Sequence, residues 1–191
     1  AYLDFFPVPH GIAGYTWDFP TQVQGRPCRC WGIYDTNVLA GRARPPLKDP
    51  LRQEMRRRGY DLDDYEVQGH PIRWFSPLGR FAVPRVILVG DAAGADGLFG
   101  EGISIALGYG RIAALAIRAA CRTHDLSFRD YRRRILLSPL GGALTIRTAI
   151  TQALYRLHWT WFQKFFWWAL KPLVKVAGMA FVLNWAGKSD G

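Results

Sequence analysis

Three cysteines in 191 residues are too few for a disulfide framework. Cys28 and Cys30 stand one residue apart, so an extended segment points both to one face, in poor geometry for a mutual bridge. No Cys/His pair at finger-like spacing completes a zinc site, and His10, His70, His124 and His158 are scattered. These shortages exclude a disulfide-stapled or zinc-built domain, and a reducing, cytoplasmic setting is the expectation. Cys121, alone in an apolar helical stretch, reads as a core residue.

Acidic residues are also scarce, 15 against 25 Lys and Arg, giving a formal net charge of +10. Such a chain is drawn to polyanions in general. The charge is concentrated in two runs, Arg52, Arg56, Arg57, Arg58 and Arg129, Arg132, Arg133, Arg134. Neither is interleaved with stacking aromatics and no nucleic-acid module is recognisable, so both read as solvated helix faces and no nucleic-acid partner is expected. No basic n-region or cleavage site precedes Tyr2-Leu3-Asp4-Phe5-Phe6, which excludes a signal peptide at this position. The chain has no internal repeat and no low-complexity linker. A hydrophobic fraction of 49% with 14% aromatics argues against disorder.

Residues 2–6 and 12–19 are rich in aromatic and β-branched residues and flank Pro7, Pro9 and Gly11, a pattern for two strands joined by a turn. Residues 28–35 make a third strand. Pro45, Pro46 and Pro50 mark a loop, and 50–59 form a short helix opened by Pro50 and stopped by Gly59. Residues 66–74 are compatible with a further strand. Val86-Ile87-Leu88-Val89 is continuously apolar, which predicts a strand buried on both faces, as in a parallel sheet covered by helices. A long small-residue helix follows from Glu101 to Cys121. Residues 127–137 form a basic amphipathic helix, and 143–186 are helical, interrupted by Pro172 and Gly178.

The chemistry-bearing unit is the strand-loop-helix corner from Val86 to Ala114. Gly90 can take backbone angles closed to other residues and admit a ligand closely. Asp91, at the carboxyl end of the strand, can accept hydrogen bonds from a ribityl or ribose hydroxyl. Amides at the start of the helix, around Gly102 and Ile103, offer donors and the positive dipole end to an electron-rich group. Gly108, Gly110, Ala113 and Ala114 allow that helix to pack closely on a sheet. Upstream, Tyr15, Trp17 and Phe19 alternate and so share one face of a strand, either packed on a core or forming an apolar wall.

Val89-Gly90-Asp91-Ala92-Ala93-Gly94 followed by Gly100-Glu101-Gly102-Ile103 resembles the second FAD motif of the geranylgeranyl reductase and aromatic-hydroxylase superfamily. Gly14-Tyr15-Thr16-Trp17-Asp18-Phe19-Pro20 is similar to the Tyr-x-Trp-x-Phe-Pro signature of geranylgeranyl reductases, and the two motifs fall in that family's order. The resemblance covers roughly residues 10 to 120. It implies FAD as cofactor, with Gly90, Asp91, Ala92, Gly100, Gly102 and Ile103 at the flavin, and Tyr15, Trp17, Phe19 and Pro20 lining a polyprenyl cavity. Thr21 stands where family members often carry a basic residue, and Ala95-Asp96-Gly97-Leu98-Phe99 lacks the usual proline. Asp96 adds a negative charge near the expected flavin.

No Gly-x-Gly-x-x-Gly follows a strand anywhere in this sequence, so the part that cradles the FAD pyrophosphate is missing from these residues. The expectation is the C-terminal portion of a longer α/β enzyme, with α+β character as a fragment. Residues 1–80 would be substrate-domain antiparallel strands with a short helix, 81–125 the end of a Rossmann-like FAD domain, and 126–191 a C-terminal helical region. The implied reaction is reduction of carbon-carbon double bonds in a polyprenyl group, with NAD(P)H or ferredoxin as electron donor. A monooxygenase or halogenase of the same superfamily, or a non-enzymatic basic membrane-surface module, are the alternatives. In the last third, Trp159, Trp161, Trp167, Trp168 and Trp185 alternate with Arg156, Lys164, Lys171, Lys175 and Lys188. The lysines interrupt every apolar stretch there before the ~20 residues of a membrane span. Tryptophan and lysine together suit either a bilayer interface or a helical cover over the flavin domain.

Overall fold

A computed structural model of the chain describes residues 2–4, 11–157, 159–165, 169 and 172. The expected turn at Pro7 and Pro9 and the helix beyond 172, with Trp167, Trp168 and Trp185, lie outside these residues. The described residues fall into two compact units, one within Ala1–His70 and Gln152–Lys171, the other within Pro71–Thr151 and Pro172–Gly191.

The first unit is built on an antiparallel sheet of strands β1 (Tyr2–Asp4), β2 (Gly14–Val23) and β3 (Arg26–Asp35), in that order. The β2–β3 hairpin turns through Gln24 and Gly25, both at positive φ (50° and 76°). Two successive left-handed residues match the twist of the flanking strands, which is why a glycine sits at the second position. Both strands run further than the sequence pattern predicts, through Pro20 and Pro27. Pro20 lies past the end of β1, where only β3 remains to be paired and a missing N–H costs least.

Helix α1 (Lys48–Arg57) packs on β3. Pro50 falls in its first turn, where an amide has no helical partner to lose. Gly59, at φ +82, follows its end. Leu51 and Met55, one turn apart, are buried with Leu62 of a 3₁₀ turn (Leu62–Asp64) against Trp31 and Ile33. The arginines of this helix are paired within the unit: Arg52 with Asp49 and Asp63, Arg56 with Asp61, Arg57 and Arg58 with the buried Glu54. The first basic run is an ion-paired face. The described part of the unit closes with residues 152–156, the end of one helix, and 160–164, a short second one.

The second unit has one small hairpin, β4 (Ala82–Val83) and β5 (Val86–Ile87), then α2 (Gly90–Ala93), α3 (Ile103–Thr123), α4 (Tyr131–Leu136) and most of α5 (Pro139–Arg156), which continues into the first unit. Beyond it lies α6 (Thr160–Lys164) of the first unit. The mixed α+β class with small antiparallel sheets is as expected. The doubly buried strand at Val86–Val89 is not: β5 pairs antiparallel with β4, and Val86 and Val89 are exposed. Among the described residues no parallel neighbour exists for this run, so it folds back across Pro84-Arg85 onto the segment before it. Residues 66–74 are likewise not a strand; only Trp74 bridges, in parallel sense, to Ala95.

The core of this unit gathers Phe75, Phe81, Ile105, Tyr109, Ile135 and Leu144. Along α3, Ile105, Tyr109, Ile112, Ala113, Ala116 and Ala120 recur at helical spacing and are buried. The opposite face is apolar and open, with Ile103 85% and Leu107 74% exposed. Gly110 lies on it, where an added Cβ would meet nothing within 4 Å, and Ala114 is exposed. Of the small residues expected to pack on a sheet, only Ala113 is buried. Cys121, expected in the core, is exposed, because it lies outside the buried stripe of the helix. By length and composition α3 is the one described helix able to cross a bilayer, with 28% of its apolar window buried.

Candidate functional site

The loop from Gly90 to Ile103 is held by bonds that begin with glycine geometry. Gly90 has φ +55 and Gly100 φ +62. Gly94 has φ +126, and a Cβ there would stand 2.6 Å from the Phe75 Cα. That close approach lets Phe75 N–H donate to the Ala95 carbonyl (2.8 Å) and Ala95 N–H to the Arg73 carbonyl (2.9 Å). The Tyr109 hydroxyl donates to the Gly94 carbonyl at 3.2 Å, and burial raises its pKa well above the usual phenol range. The Tyr131 hydroxyl donates to the Leu88 carbonyl (3.1 Å), and burial pushes its pKa up to about 12. Both phenols are therefore fixed as neutral donors, tying α3 to Gly94 and α4 to Leu88, on either side of Gly90.

Asp96 carries the tightest construction. Its carboxylate accepts from the Leu98 amide (2.8 Å) and the Phe99 amide (3.2 Å), closing the 96–99 turn. Arg147 of α5, itself buried, donates to Asp96 (3.0 Å) and to Glu101 (2.9 Å). Burial raises the Asp96 pKa against the lowering pull of Arg147 and of the two amides. The negative charge that the sequence places near a flavin is thus internal and countered by a guanidinium. Nothing local in the sequence marks Arg147 as its partner; it lies 51 residues away on a stretch that reads only as helix.

Asp91 is different. Its side chain is exposed, and among the described residues it has no hydrogen-bond or ion-pair partner. Its Oδ1 lies 3.1 Å from where a Cβ on Gly102 would be, so the carboxylate stands at the N-terminus of α3 and Gly102 leaves it room. No side chain caps that terminus. The first amides of a helix have no partner within it. Asp91, Gly102 and Ile103 therefore present one acceptor group beside unclaimed donors at the positive end of a 21-residue helix. Gly90 adjoins the same helix, its would-be Cβ 3.5 Å from that of Ala106. Ala92 is exposed, its carbonyl accepting from Arg73 (3.4 Å), and Gly100 N–H bonds the Asp96 carbonyl oxygen (3.0 Å).

In the first unit, a groove of about 980 Å³ follows β3, walled by Trp17, Pro20, Trp31, Ile33, Leu51, Met55, Tyr60 and Leu62 among others. Trp17 lies flat on Gly32, whose Cβ would fall 2.1 Å from the indole. The Arg58 guanidinium sits over Trp31, 5.7 Å from the ring centre. Of the four expected wall residues, Trp17 and Pro20 line this groove. Tyr15 is buried beside Trp17 and Tyr34, with centroids 6.0 and 5.7 Å apart, and Phe19 is partly exposed outside the groove. Alternation does not account for the split, since it puts Tyr15, Trp17 and Phe19 on one face of β2; Trp31 and Ile33 lie opposite Asp18 and Thr16 on the other. The Asp18 carboxylate on that second face is buried and accepts from Arg29 Nε at 2.7 Å. Trp31, Tyr60 and the α1 residues escape the sequence reading because only the docking of α1 on β3 brings them together.

Among the described residues no cluster of His, Cys, Asp and Glu could hold a metal ion. No protein-family model, curated protein or solved structure matches this chain.

Proposed function

We propose that this chain forms the ribityl- and isoalloxazine-facing part of an FAD site in a Rossmann-like domain, and that the enzyme reduces carbon-carbon double bonds of a polyprenyl group. The observation that carries this reading is the partnerless Asp91 carboxylate beside the uncapped N-terminus of α3. That donor set fits a polyol hydroxyl at Asp91 and the electron-rich N1–C2=O edge of a flavin at the amides of Gly102 and Ile103. The Asp91 charge would oppose a diphosphate at this place, and the motif Gly-x-Gly-x-x-Gly that cradles one lies elsewhere; Gly108-Tyr109-Gly110 lies within α3 and is no substitute. That cradle would come from outside these 191 residues.

In its reduced form FAD would supply a hydride, and the redox chemistry is the cofactor's own. The protein's part is binding and orientation. Asp91 would hold the ribityl chain, and the α3 dipole would favour negative charge on the flavin edge. Asp96, countered by Arg147 and held inside, would keep the loop in shape without opposing that charge. The Trp17 groove, apolar in most of its lining, supports a long hydrocarbon substrate whose affinity comes from buried area. NAD(P)H or ferredoxin would reduce the flavin.

The test is flavin retention. In the complete protein, Asp91→Ala should lower bound FAD after gel filtration at least about tenfold, as expected when a charge-assisted hydrogen bond is removed. Undiminished flavin content would overturn the assignment of Asp91. Turnover of a geranylgeranyl substrate should proceed without oxygen. Oxygen uptake in step with product would move the protein to the monooxygenase branch.

A further inference from the structure

We propose that the segment from Arg156 to Phe165 docks this protein on an anionic bilayer surface. This inference stands apart from the flavin reading and uses none of its residues. Four apolar side chains are exposed within nine residues: Leu157, Trp159 (54%), Trp161 (67%) and Phe165 (50%). The Trp159 and Trp161 rings stack with centroids 6.3 Å apart and planes 9° from parallel, so they form one aromatic pair. Phe162 stands edge-on to Trp161 at 6.0 Å and 90°, adding a third ring to the pair. Trp161 and Phe165 are four residues apart, one turn along α6 and just past its end, and so share a face. Arg156 and Lys164, both exposed, bracket the patch.

Contiguous exposed aromatics of this kind mark an interaction surface. The choice of partner follows from three features. None of these residues lines the groove along β3, whereas small-molecule sites are concave. Among the described residues the patch is far smaller than the ~20–30 residues a side of a stable protein interface. Its flanking charges are cationic on a chain of net charge +10, which opposes self-association and complements anionic lipid. Indole rings settle at the headgroup boundary, and lysine or arginine stems lie along apolar surface with their charges in the headgroup layer. A bilayer interface satisfies all of these groups together.

The experiment is co-sedimentation of the full chain with vesicles of phosphatidylcholine alone and with phosphatidylglycerol added. Binding should be stronger with the anionic lipid and should fall with salt. Lys164→Gln should lower partitioning into anionic vesicles about fivefold, the share of one cation at such a surface. Trp159→Ser with Trp161→Ser should lower it about tenfold or more, with far-UV circular dichroism unchanged. In the unaltered protein, lipids brominated near the headgroup should quench tryptophan emission, a readout that needs no variant. Unchanged partitioning of the tryptophan variant, or absence of quenching, would overturn the proposal. So would a shift of the tryptophan variant from dimer to monomer without loss of vesicle binding, which would make the aromatic pair a contact between copies.

Discussion

A methyl group on Gly94 would stand 2.6 Å from the Phe75 Cα at a backbone φ of +126, a conformation that side chains rarely take. Gly94→Ala should therefore cost about 2–5 kcal/mol, combining backbone strain with forced separation of two chain segments. Chemical denaturation would measure it, with a lowered midpoint at unchanged slope. The buried Asp96–Arg147 pair gives a second test. Arg147→Ala leaves the buried Asp96 carboxyl without its guanidinium, at an expected cost of about 3–5 kcal/mol. The pH dependence follows from the raised Asp96 pKa. A carboxyl whose folded pKa lies above its unfolded value binds protons more readily in the folded state. Its contribution is complete below the ordinary carboxylate range and is lost as pH rises through the folded pKa. Asp96→Asn cannot ionise, so the wild type should lose stability relative to this variant across that rise. Melting temperatures of both, measured side by side from acid to neutral pH, would show the gap moving that way.

Among the elements, α3 separates packing from presentation. Ile105 is fully buried in the core of its unit, whereas Ile103, half a turn earlier, is 85% exposed. Ile105→Ala should cost about 2–5 kcal/mol. Ile103→Ala should change stability by less than about 0.5 kcal/mol, because nothing closes around it. If Ile103 contacts a flavin in the complete protein, its substitution should instead alter the bound flavin's absorption spectrum. The hairpin β4–β5 teaches a complementary lesson. Val86 to Val89 has the composition of a buried parallel strand, and composition cannot supply the neighbour such a strand requires.

For the whole molecule, the chain first passes from one compact unit to the other through residues 66–73, which are exposed and make no strand or helix, and it passes back within α5. Exposed backbone outside regular structure is where proteases cut first. Brief digestion with proteinase K should nick this stretch before either core, and mass spectrometry of the fragments would locate the cut. A first cut within β2, β3 or α3 would contradict the division.

Local chemistry made much of this protein legible from its sequence. Strands β2 and β3, the short helix between Pro50 and Gly59, the long helix after Glu101 and the glycine-rich turn at Gly90 and Gly94 depend on backbone preferences and short-range periodicity. The tertiary structure alone decided which neighbours these elements found. It set Arg147 against Asp96 across 51 residues, turned Val86–Val89 back onto β4, and left Cys121 outside the core. It also divided the aromatic strand, so that Trp17 reaches the groove while Tyr15 is enclosed and the remaining wall comes from Trp31 and α1. The reason is physical: propensity and alternation act over a few residues, while burial, ion pairing and cavity shape depend on segments distant in sequence.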